Sequence, residues 1–140
     1  MDKIIDIIIK EAEKAYKKGE IPVGCAIVKE GKILAKAYNL KESRGIATYH
    51  AEILAINKAC KKLNTWHLDD CTLYTTMEPC IMCSGAIIQS RIRKIVYILD
   101  NESFGNIKNN EYFNNNKYEI IKVEDKRVLD LMQNFFKNKR

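Results

Sequence analysis

No stretch of this chain is apolar for long enough to cross a membrane as a helix. The best candidate, Ile4 to Ile9, is short and interrupted by Asp6, whereas a helical span needs about 20 residues. The N-terminus carries mixed charge at amphipathic spacing and lacks the pattern of a secretory signal, so the expected location is cytoplasmic. The chain contains no internal repeat and no linker. The asparagine run at 114–116 is too short to divide domains. One domain spanning 1–140 is therefore expected, with enough length for a sizeable core. The five cysteines do not make a disulfide framework. Cys25, Cys60 and Cys71 sit inside apolar patterns and read as small buried hydrophobes.

What is present is a globular composition, 46% hydrophobic, with a net charge of +6 and a pI near 9.0. A basic balance fits a polyanionic partner. The cationic residues cluster at Arg91, Arg93 and Lys94, and again at Lys137, Lys139 and Arg140.

Residues 3–18 place Ile4, Ile5, Ile8, Ala12 and Ala15 at helical spacing, with Gly19 as the stop. Residues 23–29 form an apolar strand. A tight turn at Glu30-Gly31 returns the chain along 32–38 as a hairpin. A polar loop over 39–49 leads to a helix over 51–63 that buries Ile53, Leu54, Ile56 and Ala59. The pattern then predicts a strand at 71–75, a helix at 80–89 and a strand at 94–99. A polar segment follows over 100–116, then a strand at 118–123 and a helix at 126–136. Helices alternating with strands behind an opening hairpin give a layered α/β fold with a mixed sheet.

Two short motifs carry the chemistry: His50-Ala51-Glu52 and Pro79-Cys80-Ile81-Met82-Cys83. One imidazole and two thiolates supply three zinc ligands and leave a fourth position for water. Glu52, two residues from His50, is close enough to handle that water's proton. Pro79 suits the first turn of a helix, where its missing N–H costs nothing. Cys80 and Cys83, three apart, then share one face at the positive end of the helix dipole. Taken alone, Cys80/Cys83 also reads as a redox dithiol or a structural zinc site. The combined H-x-E…P-C-x-x-C pattern is the known signature of the zinc-dependent base deaminases.

The chain resembles the bacterial tRNA-specific adenosine deaminases, a family within the cytidine and deoxycytidylate deaminase superfamily. The resemblance runs from about Ile21 to Ile98. It rests on Glu20-Ile21-Pro22-Val23-Gly24, Tyr38-Asn39-Leu40, Tyr49 to Ile53, Thr65-Trp66, Met77 to Cys80, Ser84 to Ile87 and Ser90-Arg91-Ile92, with Phe135-Phe136-Lys137 near the end. It implies a three-layer cytidine-deaminase-like fold, in which a mixed sheet of about five strands is flanked by helices. It implies a homodimer with one zinc ion per subunit, held by His50, Cys80 and Cys83, and Glu52 as the catalytic proton shuttle. It implies a tRNA anticodon stem-loop as substrate, with Asn39 at the target nucleoside and Phe135 and Phe136 on a helix that helps to hold the anticodon loop. Arg91 belongs to the same expected RNA-contacting set.

Plainer readings of several residues stand beside these. Asn39 is also a turn residue, the Phe pair is also core, and Trp66 reads as packing. The chain departs from the family after the fourth strand. By register Asn101 replaces an acidic residue that lies next to the substrate, and the Glu102–Asn116 loop is rich in asparagine and poor in glycine. The expected reaction is hydrolytic deamination of wobble adenosine to inosine. Zinc makes hydroxide available for attack on C6, and Glu52 carries protons to the ring nitrogen and to the leaving ammonia. Glu78, at the cap of the zinc helix, is the poorer shuttle. Guanine or cytosine deamination is the alternative within the chemistry, and a non-catalytic RNA-binding zinc module is the alternative outside it.

Overall fold

The computed structural model describes residues 1–138, so Lys139 and Arg140 of the C-terminal basic cluster lie outside the described residues. The elements run α1 (Asp2–Lys17), β1 (Gly24–Lys29), β2 (Lys32–Tyr38), α2 (Lys41–Arg44), α3 (Ala51–Leu63) and β3 (Cys71–Met77). They continue with α4 (Ile81–Gln89), β4 (Lys94–Leu99), α5 (Glu111–Asn115), β5 (Glu119–Lys122) and α6 (Lys126–Asn138). The five strands form one sheet in the order β2-β1-β3-β4-β5. β1 is antiparallel to both β2 and β3, while β3, β4 and β5 are parallel. The sheet is mixed, as the alternation of helices and strands implied.

The period-2 alternation of the strands divides the core. Cys25, Ile27, Leu73 and Ile95 face α3 and α4, while Ala26, Val28, Tyr74, Val96 and Ile98 face α1 and Val128 of α6. Three layers result. The approach of α1 to the sheet is close enough to require a glycine: a Cβ on Gly24 would overlap backbone atoms of Ile8 and Ala12. The hairpin turn puts Glu30 and Gly31 at φ 51° and 76°, the left-handed pair of a type I′ turn. The two polar segments carry more structure than their composition suggested. α2 lies within 39–49 and α5 within 100–116, and α5 is capped by Asn110, whose side chain accepts from the backbone N–H of Tyr112 and Phe113.

The buried side of α3 is narrower than its apolar pattern predicts. Ala51, Ala55, Ile56 and Ala59 are buried, whereas Ile53 and Leu54 are only half-buried. The helix packs closely against the sheet through its alanines, and the larger side chains fall to the flanks. Cys25 and Cys71 are buried and Cys60 is half-buried. Trp66 is not packed away: it is 54% exposed. Among the described residues, no helix is long and apolar enough to cross a membrane.

Candidate active site

Antiparallel pairing of β1 with β3 brings the start of β1 to the same edge of the sheet as the end of β3. The end of β2 lies there too, because Gly24 pairs with Tyr38. The residues entering β1 and leaving β2, β3 and β4 therefore surround one cavity of about 360 Å³. Its lining includes Ile21, Asn39, Lys41, His50, Glu52, Glu78, Cys80, Asn101 and Phe104.

Two helices begin at the floor of this cavity. His50 is the N-cap of α3 and Cys80 the N-cap of α4, each in extended backbone geometry, and neither uses its side chain as a cap. Both side chains are thereby left for the site, and both helix dipoles present their positive ends to it. Pro79 therefore precedes the cap instead of entering the first turn. Its carbonyl accepts from the Asn106 N–H at 2.9 Å. Cys83 follows Cys80 from the N3 position, which faces the N-cap as in a capping box.

His50 Nδ1 lies 3.7 Å from Cys80 Sγ and 3.6 Å from Cys83 Sγ, and the three donor atoms fall within 4.8 Å of one another. Three ligands of a tetrahedral zinc at 2.0–2.3 Å stand about 3.5–3.8 Å apart, so the donor set fits that ion. The thiols share a proton unequally. The hydrogen bond from Cys83, aided by His50, lowers Cys80 to about 3. The same bond, with burial, raises Cys83. His50 is raised, chiefly by its hydrogen bond to Cys80. Glu52 is buried beside this cluster at 4% exposure. Burial lifts its carboxyl to about 7, against the opposing pull of its own backbone N–H and of His50.

Asn39 holds a turn at the cavity wall. Its Nδ2 donates to the Ile21 carbonyl and its Oδ1 accepts from the Lys41 N–H, so it shapes a turn and lines the cavity at once. Asn101 also reaches the cavity, with Oδ1 accepting from the Phe104 N–H at 3.0 Å. Arg91 is not brought there. It follows the C-terminal end of α4, a nine-residue helix about 13 Å long, and its guanidinium lies 5.1 Å from the centre of the Trp66 ring. Phe135 is 7% exposed and packs edge-on against Tyr16, while Phe136 is 51% exposed. Neither lines the cavity.

The sequence reading assigned no positioning role to two carboxylates. Glu78 is 2% exposed. Its Oε1 accepts from Asn101 N–H, and its Oε2 accepts from Ile107 and Lys108 N–H, at 3.0–3.2 Å. Fully buried Glu20 accepts from the N–H groups of Glu42 and Ser43 in α2. One carboxylate thus fixes each of the two loops beside the cavity. The sequence reading put Glu78 at the cap of the zinc helix, but the N-cap is Cys80 and Glu78 lies two residues before it; the signal available for both was an acidic residue close to an apolar strand.

The model for MafB19-like deaminases matches residues 1–140. The tRNA-specific adenosine deaminase of Aquifex aeolicus is 43% identical over 97% of this chain and 93% of its own length. Among solved structures, a tRNA:A34 deaminase studied for A-to-I editing at the wobble position superposes with a TM-score of 0.79. It is 29% identical, over 85% of this chain and 95% of that one. The guanine deaminase of Bacillus subtilis gives 0.68 at 37% identity, over 74% of this chain and 70% of its own. Sheet order, the paired helix N-termini and these likenesses agree, and the chain belongs to the MafB19-like deaminase family, among the bacterial tRNA-specific adenosine deaminases.

Proposed function

We propose that this protein hydrolyses adenosine to inosine and ammonia at the wobble position of a tRNA anticodon. His50, Cys80 and Cys83 hold a zinc ion, and Glu52 carries the protons. The observation that supports this most is the meeting of a buried carboxylate with a three-donor cluster at the floor of one cavity. Bound there, zinc supplies Lewis acidity that brings the pKa of a water near 7. Glu52 would take one proton from such a water and pass it to the purine ring nitrogen as the water oxygen bonds to C6. It would then pass the second proton, from the new C6 hydroxyl, to the amine as the C6–N bond breaks and ammonia leaves. A buried carboxyl beside the donor cluster is placed both to accept and to donate a proton.

Asn39 and Asn101 line the cavity and are assigned to the target nucleoside. Arg91 and exposed Phe136 are assigned to RNA outside it, and buried Phe135 to the packing that places Phe136. A net charge of +6 supports a polyanionic substrate. The protein is read as a cytoplasmic homodimer. Light scattering on the purified protein tests the dimer.

Guanine deamination is the second reading, favoured by the 37% identity to the Bacillus subtilis enzyme. One experiment separates the two. The purified protein is incubated with an anticodon stem-loop and, separately, with free guanine, cytosine and adenosine, and inosine and ammonia are assayed. Inosine from the stem-loop alone is expected. Ammonia from free guanine with an unchanged stem-loop would reverse the assignment.

A further inference from the structure

Phe104 is 74% exposed, yet it lines the cavity assigned above to the target base. A large aromatic at that exposure has little to gain from the protein itself. Its backbone is nevertheless held firmly. The Phe104 N–H donates to Asn101 Oδ1, and the next N–H, of Gly105, donates to the Asn101 carbonyl. Gly105 bridges to Cys80, and its missing side chain is required, because a Cβ would overlap the Glu78 carboxylate and the Asn101 carbonyl. The ring is therefore carried on a fixed loop beside the metal-binding helix, and only the side chain is free. Lys41, which also lines the cavity, makes no ion pair among the described residues. A cation without an ion pair and an exposed ring lining one cavity match the phosphate and the base of a nucleotide.

We propose that Phe104 is a stacking platform for the nucleobase adjoining the target adenosine. This rests on the tRNA-deaminase reading above and adds a contact to it. An unpaired loop can splay its bases, and an aromatic ring holds a neighbouring base without reading its identity. Stacking on Phe104 would keep that neighbour out of the cavity while the target enters it.

The test measures kcat/KM for deamination of three anticodon stem-loops. One is intact, and the other two carry an abasic nucleotide immediately 5′ or 3′ of the target. The variants are Phe104→Ala and Phe104→Trp. Loss of one base stack corresponds to roughly 5- to 150-fold in kcat/KM. Wild type should lose that factor on one of the two abasic substrates. Phe104→Ala should lose a similar factor on the intact substrate, mainly through KM, and lose nothing more on that abasic substrate. Phe104→Trp should retain activity and base dependence. If the ring and base losses multiply independently, or Phe104→Ala stays within twofold of wild type, the platform is wrong. A change in oligomeric state on Phe104→Ala would assign the ring to a subunit interface and also overturn it. No inosine from wild type on the intact stem-loop would instead overturn the underlying function.

Discussion

Replacing Glu78 by glutamine tests whether this carboxylate, and not the loop's own sequence, fixes the wall that carries Asn101 and Phe104. The carboxylate accepts three backbone N–H groups, one on Oε1 and two on Oε2. Glutamine has one acceptor oxygen. Its best rotamer keeps the Ile107 and Lys108 bonds and turns an NH₂ group toward the Asn101 N–H, donor against donor. The two remaining bonds also lose their charge assistance. Hydrogen bonds to a charged group contribute about 1.5–3 kcal/mol each, so a net cost of about 2–3 kcal/mol is expected. Two kcal/mol is a factor of about 30 in an opening equilibrium. If the loop opens on its own, amide exchange at Asn101, Ile107 and Lys108 should quicken by about that factor. If it opens only with the whole domain, the melting temperature should fall by about 2–4 °C per kcal/mol. Zinc content should be unchanged in both cases, since Glu78 is not among the three donors. Gly105→Ala attacks the same junction from the other side and should loosen the same amides. Unchanged exchange at all three amides together with an unchanged melting temperature would refute the latch.

Glu52→Gln should keep one zinc per chain and lose about 10²–10⁴ in rate, because an amide cannot carry the proton; zinc loss or near-normal turnover contradicts the assignment. In metal-free protein the buried Glu52 carboxyl is raised from 4.5 to about 7, so the wild type loses stability relative to Glu52→Gln as pH rises across that interval. Parallel denaturation curves at pH 4 and pH 8 check the sign, and a gap that does not widen toward pH 8 refutes it. Cys80→Ser and Cys83→Ser should lose metal and stability together, whereas Cys25→Ser, Cys60→Ser and Cys71→Ser should bind it fully. Metal analysis of the five variants decides the ligand set. Asn101→Asp should keep the turn, because a carboxylate oxygen also accepts from Phe104 N–H. It should sharpen discrimination of RNA from DNA, since an acceptor-only group suits a ribose 2′-hydroxyl. Deamination rates on matched RNA and DNA stem-loops at one salt concentration measure the ratio, and an unchanged ratio removes the idea.

Much of the molecule was legible along the chain because the signals are local. Apolar spacing located every strand and the long helices to within about two residues, with α3, β2 and β4 matching end for end. The two halves of the His50, Cys80 and Cys83 cluster were legible because N-cap and N3 face each other across one helical turn, and because His50 and Glu52 stand on one turn. What sequence spacing does not carry is which distant segments share an edge of the sheet. The antiparallel β1 and the parallel β3 and β4 bring Asn39, Glu78 and Asn101 around one cavity, while Arg91, only eight positions after Cys83, goes to the far end of α4. Phe135 and Phe136 are neighbours in sequence but opposite in fate, since consecutive residues on a helix point about 100° apart and only one can face α1. The two polar segments became ordered because Glu20 and Glu78, buried far from them in sequence, accept their backbone N–H groups. The sequence set each half of the donor cluster, His50 with Glu52 and Cys80 with Cys83, but only the folded chain brings the halves together across some 30 residues and shapes the cavity with long-range hydrogen bonds.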